Sequence, residues 1–183
     1  NNRILDIYLS AADGDANHDD AVQGFALNGA IYDNVIIENT YIVESTSATR
    51  PFKATHQGIS VFDGLYTNMK VRGNVVLAGG YHGISIYGGK NVVIEKNTVI
   101  STYPGRTLWI SAPKSKEGVL PDNTIVQNNV ASSYTLASGV QSINNFTVSN
   151  PSASFVQFDL SNALYDLHPA AGSAIYGKGA GAY

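Results

Sequence analysis

The chain has 183 residues, with 11 Lys plus Arg against 14 Asp plus Glu, a net charge of −3 and a hydrophobic fraction of 44%. That length suits one domain with a core of its own, and the balance excludes both a chain disordered by composition and a strongly basic nucleic-acid binder. Cysteine is absent, so there is no disulfide framework or thiolate metal site and the compartment stays open; the 18 Gly and 17 Asn point to many short segments joined by turns.

Residues 1–17 read as a lead-in. NNRILDIYLSAADG has neither an initiator Met nor a basic head followed by an apolar stretch, which makes a processed product or a fragment the expectation. No apolar run approaches the roughly 20 residues of a membrane helix. In DGDANHDD, Asp13, Asp15, Asp19 and Asp20 crowd hard oxygen ligands of the kind calcium prefers, although no Glu closes an EF-hand spacing and an Asp-Gly-Asp run also reads as a plain turn.

From there on the chain repeats. DNVIIENTYI (33–42), NMKVRGNVVL (68–77), NVVIEKNTVI (91–100) and NTIVQNNVA (123–131) share one pattern, with an Asn at 39, 74, 97 and 128. A second set, DDAVQGF (19–25), HQGISVF (56–62), HGISIYG (82–88) and RTLWIS (106–111), lies between them, and Gly58 to Gly83 spans one unit of 25 residues. The segments are Val- and Ile-rich and alternate with polar residues, and no window carries a helical apolar stripe. Equivalent short strands at a period of about two dozen residues stack in parallel when the chain coils, and inward Asn side chains can then bond rung to rung. The expectation is an all-β parallel β-helix of about five coils over 18–150, with 151–183 as a C-terminal capping segment. An antiparallel sandwich is the alternative.

HGISIYGGKNVVIEKNTVI and NTIVQNNVASS resemble the coils of right-handed parallel β-helix proteins of the pectate-lyase-like superfamily, and YDLHPAAGSAIYGKGAG (165–181) resembles the segment that closes such domains. The resemblance implies a right-handed coil. It also implies a place among polysaccharide lyases, glycoside hydrolases, uronan epimerases, bacteriophage tailspikes or coils without chemistry.

Stacking turns the sequence into columns. Aligning Gly58, Gly83 and Thr107 puts Asp19, Gln57, His82 and Arg106 in one outer stripe, with Val22, Ser60, Ser85 and Trp109 two positions beyond the glycine column and Tyr81 and Tyr87 beside them. Flat polar groups next to aromatic plates suit sugars. For β-elimination on a uronate, His82 or His56 would be the base, Tyr81 or Tyr87 the acid, and Arg106 the group that neutralises the carboxylate. Gln57, Ser60, Ser85, Tyr87 and Trp109 would contact the polymer. The inserts 44–55 and 111–122 would wall the groove, the first with Arg50 and Lys53, the second with Lys114 and Lys116. Paired carboxylates for glycoside hydrolysis would have to come from the DGDANHDD acids or Asp63.

Residues 50–120 carry 9 bases and 3 acids, a +6 middle between acidic ends, which suits an anionic glycan. The reading is therefore a coil that binds, and in one version cleaves, an anionic polysaccharide outside the cell, in the periplasm or on a virion surface. Neither nucleic acid nor membrane is an expected partner. Calcium, through the DGDANHDD acids, is the one cofactor the sequence suggests. The alternative is a non-catalytic structural coil of a phage tail or other assembly, including a homotrimer joined through open coil ends.

Overall fold

The computed structural model describes residues 1–7, 18–49 and 55–183. The acids Asp13 and Asp15 and the loop residues Arg50 and Lys53 lie outside the described residues. A lone strand, β1 (Asn2–Leu5), leads in. The first coil carries β2 (Asp20–Phe25), β3 (Ile31–Asp33), β4 (Ile36–Glu38) and β5 (Thr40–Val43), and the second β6 (Gln57–Asp63), β7 (Leu65–Thr67), β8 (Lys70–Arg72) and β9 (Val75–Ala78). The third holds β10 (His82–Ile86), β11 (Val93–Glu95) and β12 (Thr98–Ser101), and the fourth β13 (Trp109–Ala112), β14 (Ile125–Gln127) and β15 (Val130–Ala131). The fifth holds β16 (Ser133–Leu136), β17 (Gln141–Ile143) and β18 (Phe146–Thr147), after which come α1 (Pro151–Ser154), β19 (Phe155–Asp159) and β20 (Leu164–Pro169).

Equivalent strands pair in parallel to form three faces. The first sheet is β2-β6-β10-β13-β16, the second β4-β8-β11-β14-β17, and the third β1-β5-β9-β12-β15-β18. Inward Val and Ile, among them Ile59, Val61, Ile84, Ile86, Ile94, Val99 and Ile110, fill the space between the sheets. Two inward glycines let the first sheet close on that core. A Cβ on Gly58 would stand 2.1 Å from the Gly83 carbonyl oxygen, and one on Gly83 2.1 Å from Val99.

The asparagine ladder exists, one residue displaced from the sequence reading at two of its four positions. The rungs are Asn74, Asn97 and Asn129, all buried, and the half-buried Asn145, and Thr40 holds the place in the first coil. Asn74 donates through its backbone N–H and its side-chain amide to Asn97 Oδ1, Asn97 does the same to Asn129 Oδ1 and Asn129 to Asn145 Oδ1, all at 2.9–3.0 Å. Asn39 and Asn128 sit one place earlier, in a corner column shared with Gly73, Lys96 and Asn144 where φ is 50–62°. That corner needs a left-handed residue, which Asn and Gly adopt most readily. Two physical demands for Asn at adjacent positions produced the slip.

The C-terminal segment covers a side of the coil rather than its end. Phe155, Phe158, Leu167, Ile175 and Ala180 pack on Val43, Leu77, Ile100, Val130 and Val148 of the third sheet and its margin. The tail is pinned by Gly181 N–H to the Asn128 carbonyl and by Ala182 to Thr98. The fifth coil is closed from within by Tyr134, whose hydroxyl donates to the Asn129 and Phe146 carbonyls, and burial pushes its phenol well up.

Candidate functional site on the first sheet

The outer face of the first sheet gathers most of the polar and aromatic residues singled out above, in a register different from the expected one. Asp20, not Asp19, pairs with Gln57, and Gln23, not Val22, pairs with Ser60. His82 pairs with Trp109, and Ser85 with Ser111, across an irregularity between His82 and Ile84. Arg106 therefore lies outside the column and belongs to the turn before β13. Counting Gly83 against Thr107 fails because β10 spends one more residue than β13 between its outward side chains.

That extra residue sets the chemistry of His82. His82 and Ser85 both face outward, with Nδ1 2.8 Å from the Ser85 hydroxyl. The Trp109 indole donates to the same Nδ1 at 2.9 Å, and Ser111 donates to Ser85 at 2.6 Å. An indole N–H only donates, so the imidazole lone pair is at Nδ1 and its proton at Nε2. Burial, with His18 nearby, lowers the His82 pKa to about 4. His82 is thus a neutral ring that offers a fixed N–H, with its basic nitrogen already engaged. This favours a hydrogen-bond donor over a general base.

Phe62 braces the ring edge-on at 4.8 Å and meets His18 and Tyr87 in the same way at 5.2 and 4.9 Å. Burial raises the Tyr87 phenol above its ordinary value, which keeps it protonated. Ser60 and Ser85, expected as ligand contacts, are fully buried and instead support Gln57 and His82. His56 is also sealed, 1% exposed, with Nδ1 2.6 Å from the Gln57 carbonyl, so it has no access to a polymer. Asp20 turns one oxygen to His18 at 3.0 Å, and its buried Oδ1 has no hydrogen-bond partner among the described residues. Among the described residues no group of three or more His, Asp or Glu gathers around a metal-sized space.

Beside this row stands an exposed ridge. Tyr81 stacks on Trp109 at 5.5 Å. The Arg106 guanidinium packs on Tyr81 at 4.8 Å and on Tyr103 at 4.3 Å. Its Nη1 donates to the Gly79 carbonyl at 2.7 Å and to Thr55 at 3.2 Å. Tyr81 and Tyr103 are each almost half exposed. Tyr103 and Phe62 were not singled out from the sequence, whereas His18 shares the face that its place before a strand, like that of His82, suggests. Tyr103 sits in the turn that delivers Arg106, and its aromatic-Pro-Gly-Arg setting was the available signal. Glu44 was missed too; it is a buried carboxylate that accepts from Thr102 at 2.7 Å under Gly79.

The loop 111–122 is tied to the sheet by Lys116, 2.5 Å from Asp63. Arg72 pairs with Glu38 and Lys90 with Asp122. Three cations of the +6 middle are therefore paired with carboxylates, Lys116 among them close to Tyr87, and Arg106 is the cation built into the ridge.

Three parallel faces wound about one apolar core, with an inward amide ladder at one corner, define a parallel β-helix. The model for the right-handed β-helix region matches residues 16–176, and the chain belongs to that family. Comparison with curated proteins and with solved structures gives no match.

Proposed function

We propose that this β-helix binds a polysaccharide along the outer face of its first sheet. The observation that carries the reading is the continuous stack of Trp109, Tyr81, Arg106 and Tyr103 beside the neutral N–H of His82. Aromatic faces pack against the C–H face of a sugar ring, and fixed donors take its oxygens. The guanidinium held between the rings favours an anionic polymer. Binding without cleavage fits the engaged lone pair of His82 and the burial of His56; a lyase role would require a base other than these two. The setting that goes with this reading is extracellular, periplasmic or a virion surface.

Calorimetry against a panel of acidic and neutral polysaccharides tests it. The expected result is binding to an acidic member, weakened at least about tenfold by Trp109→Ala, a loss of about 1.4 kcal/mol or more. No unsaturated product should accumulate. Absence of binding across the panel contradicts the reading, and unsaturated product lost in His82→Ala restores the lyase version.

One observation favours a second reading, a structural coil in an assembly. Phe25, Leu27, Ile31, Tyr32 and Ile36, all in the first coil, are between 45% and 59% exposed. Light scattering across a concentration range separates the two, since an assembly module self-associates and Ile31→Lys disperses it.

A further inference from the structure

The turn that carries Tyr103 and Arg106 has two sides. One meets Tyr81 on the ridge. The other forms a wall of a cleft of about 710 Å³ whose opposite wall is the C-terminal segment, with Phe158 and Val148 at its base and the exposed hydroxyls of Ser149 and Ser161 at its rim. That volume lies within the range of small-ligand sites.

The two regions share Arg106. Both hydrogen bonds that Arg106 makes to the protein come from Nη1. The Nε–Nη2 edge, the one that takes a carboxylate with two parallel bonds, has no partner among the described residues. The carboxylate lining the cleft, Asp159, is occupied by its own turn; it accepts from the Ser161 and Asn162 N–H groups and from the Asn162 amide, which hold it below its ordinary range. Among the described residues the cleft thus offers an unpartnered guanidinium edge, unpartnered hydroxyls and an apolar base, and its acid is already satisfied.

Resting on the glycan reading above, we infer that the cleft between the Tyr103–Thr107 turn and the C-terminal segment is a second saccharide subsite, which takes an acidic sugar unit of the chain whose neighbours lie on the ridge. The C-terminal segment then does more than shield the third sheet; it supplies half of a binding site.

The test is calorimetry with a ladder of oligouronates of increasing length and their carboxyl-reduced counterparts. Longer oligouronates should bind more tightly than those that cover only the ridge, and carboxyl reduction should remove the gain. Ser149→Trp and Ser161→Trp, at exposed positions, should each fill the cleft and lower the affinity of long ligands to that of short ones. Arg106→Lys should cost long oligouronates about tenfold, the loss of a bidentate pair. Trp109→Ala should weaken short and long ligands alike. Wild-type length dependence in both cleft-filling variants, with ridge binding intact, overturns the inference and leaves the ridge reading standing. No binding of any ligand to the wild type overturns both.

Discussion

Single residues carry the sharpest consequences. Asn129 is a buried rung of the ladder, whereas Asn128 beside it turns the corner and its side chain makes one exposed hydrogen bond, accepting from the Asn144 amide. Asn129→Ala strips acceptors from the Asn97 backbone N–H and side-chain amide and should cost about 3 kcal/mol or more, since each buried group left unpaired costs ~1–3 kcal/mol. Asn128→Gly keeps the left-handed corner and should change stability by no more than about 1 kcal/mol. Urea unfolding of the two variants measures the difference, and equal costs would contradict the ladder assignment. His82 ties stability to pH. The unfolded imidazole takes up its proton near its ordinary value of 6.5 and the folded one only near 4. Between those values the unfolded chain holds more protons, so stability should fall as pH falls through that window. His82→Gln should make the decline in melting temperature shallower, and an unchanged slope would show the ring to be unperturbed. The presence of an Asn ladder was legible in the sequence because the repeat marks it. Which Asn of the 128–129 pair is the rung was not, because the corner and the rung ask for the same residue type for different reasons.

At the scale of elements, the coil strands were legible and their outer register was not. Inward Val and Ile at Ile59, Ile84 and Ile110 alternate cleanly. The irregularity between His82 and Ile84, which brings Trp109 rather than Arg106 alongside His82, arises from backbone geometry around Gly83 and has no periodic signature. The C-terminal segment was recognisable as a closing element, but the face it closes depends on which outer positions are apolar. On the third sheet those are Val43, Val75, Leu77, Ile100 and Val130, and the β19–β20 hairpin is the matching cover. Phe155 is its anchor, 1% exposed, so Phe155→Ala should cost ~3–5 kcal/mol in chemical denaturation. A cost near zero would mean that the hairpin detaches without consequence for the coil.

At the scale of the whole molecule, net charge and charge distribution tell different stories. The −3 total conceals a basic middle, and the structure divides that middle again. Arg72, Lys90 and Lys116 are paired with carboxylates, while Arg106 is held between two tyrosines at the edge of an open cleft. The parallel stack places residues far apart in sequence on one ridge, and that arrangement carries the functional reading. Trp109 is the only tryptophan among the 183 residues and lies within the ridge, so the selectively excited tryptophan emission of this chain reports on the site. The most direct test is a fluorescence titration with an acidic polysaccharide. The expected result is a saturable change in Trp109 emission that weakens strongly in Tyr81→Ala. Emission that stays constant to high polymer concentration would contradict the glycan-binding account.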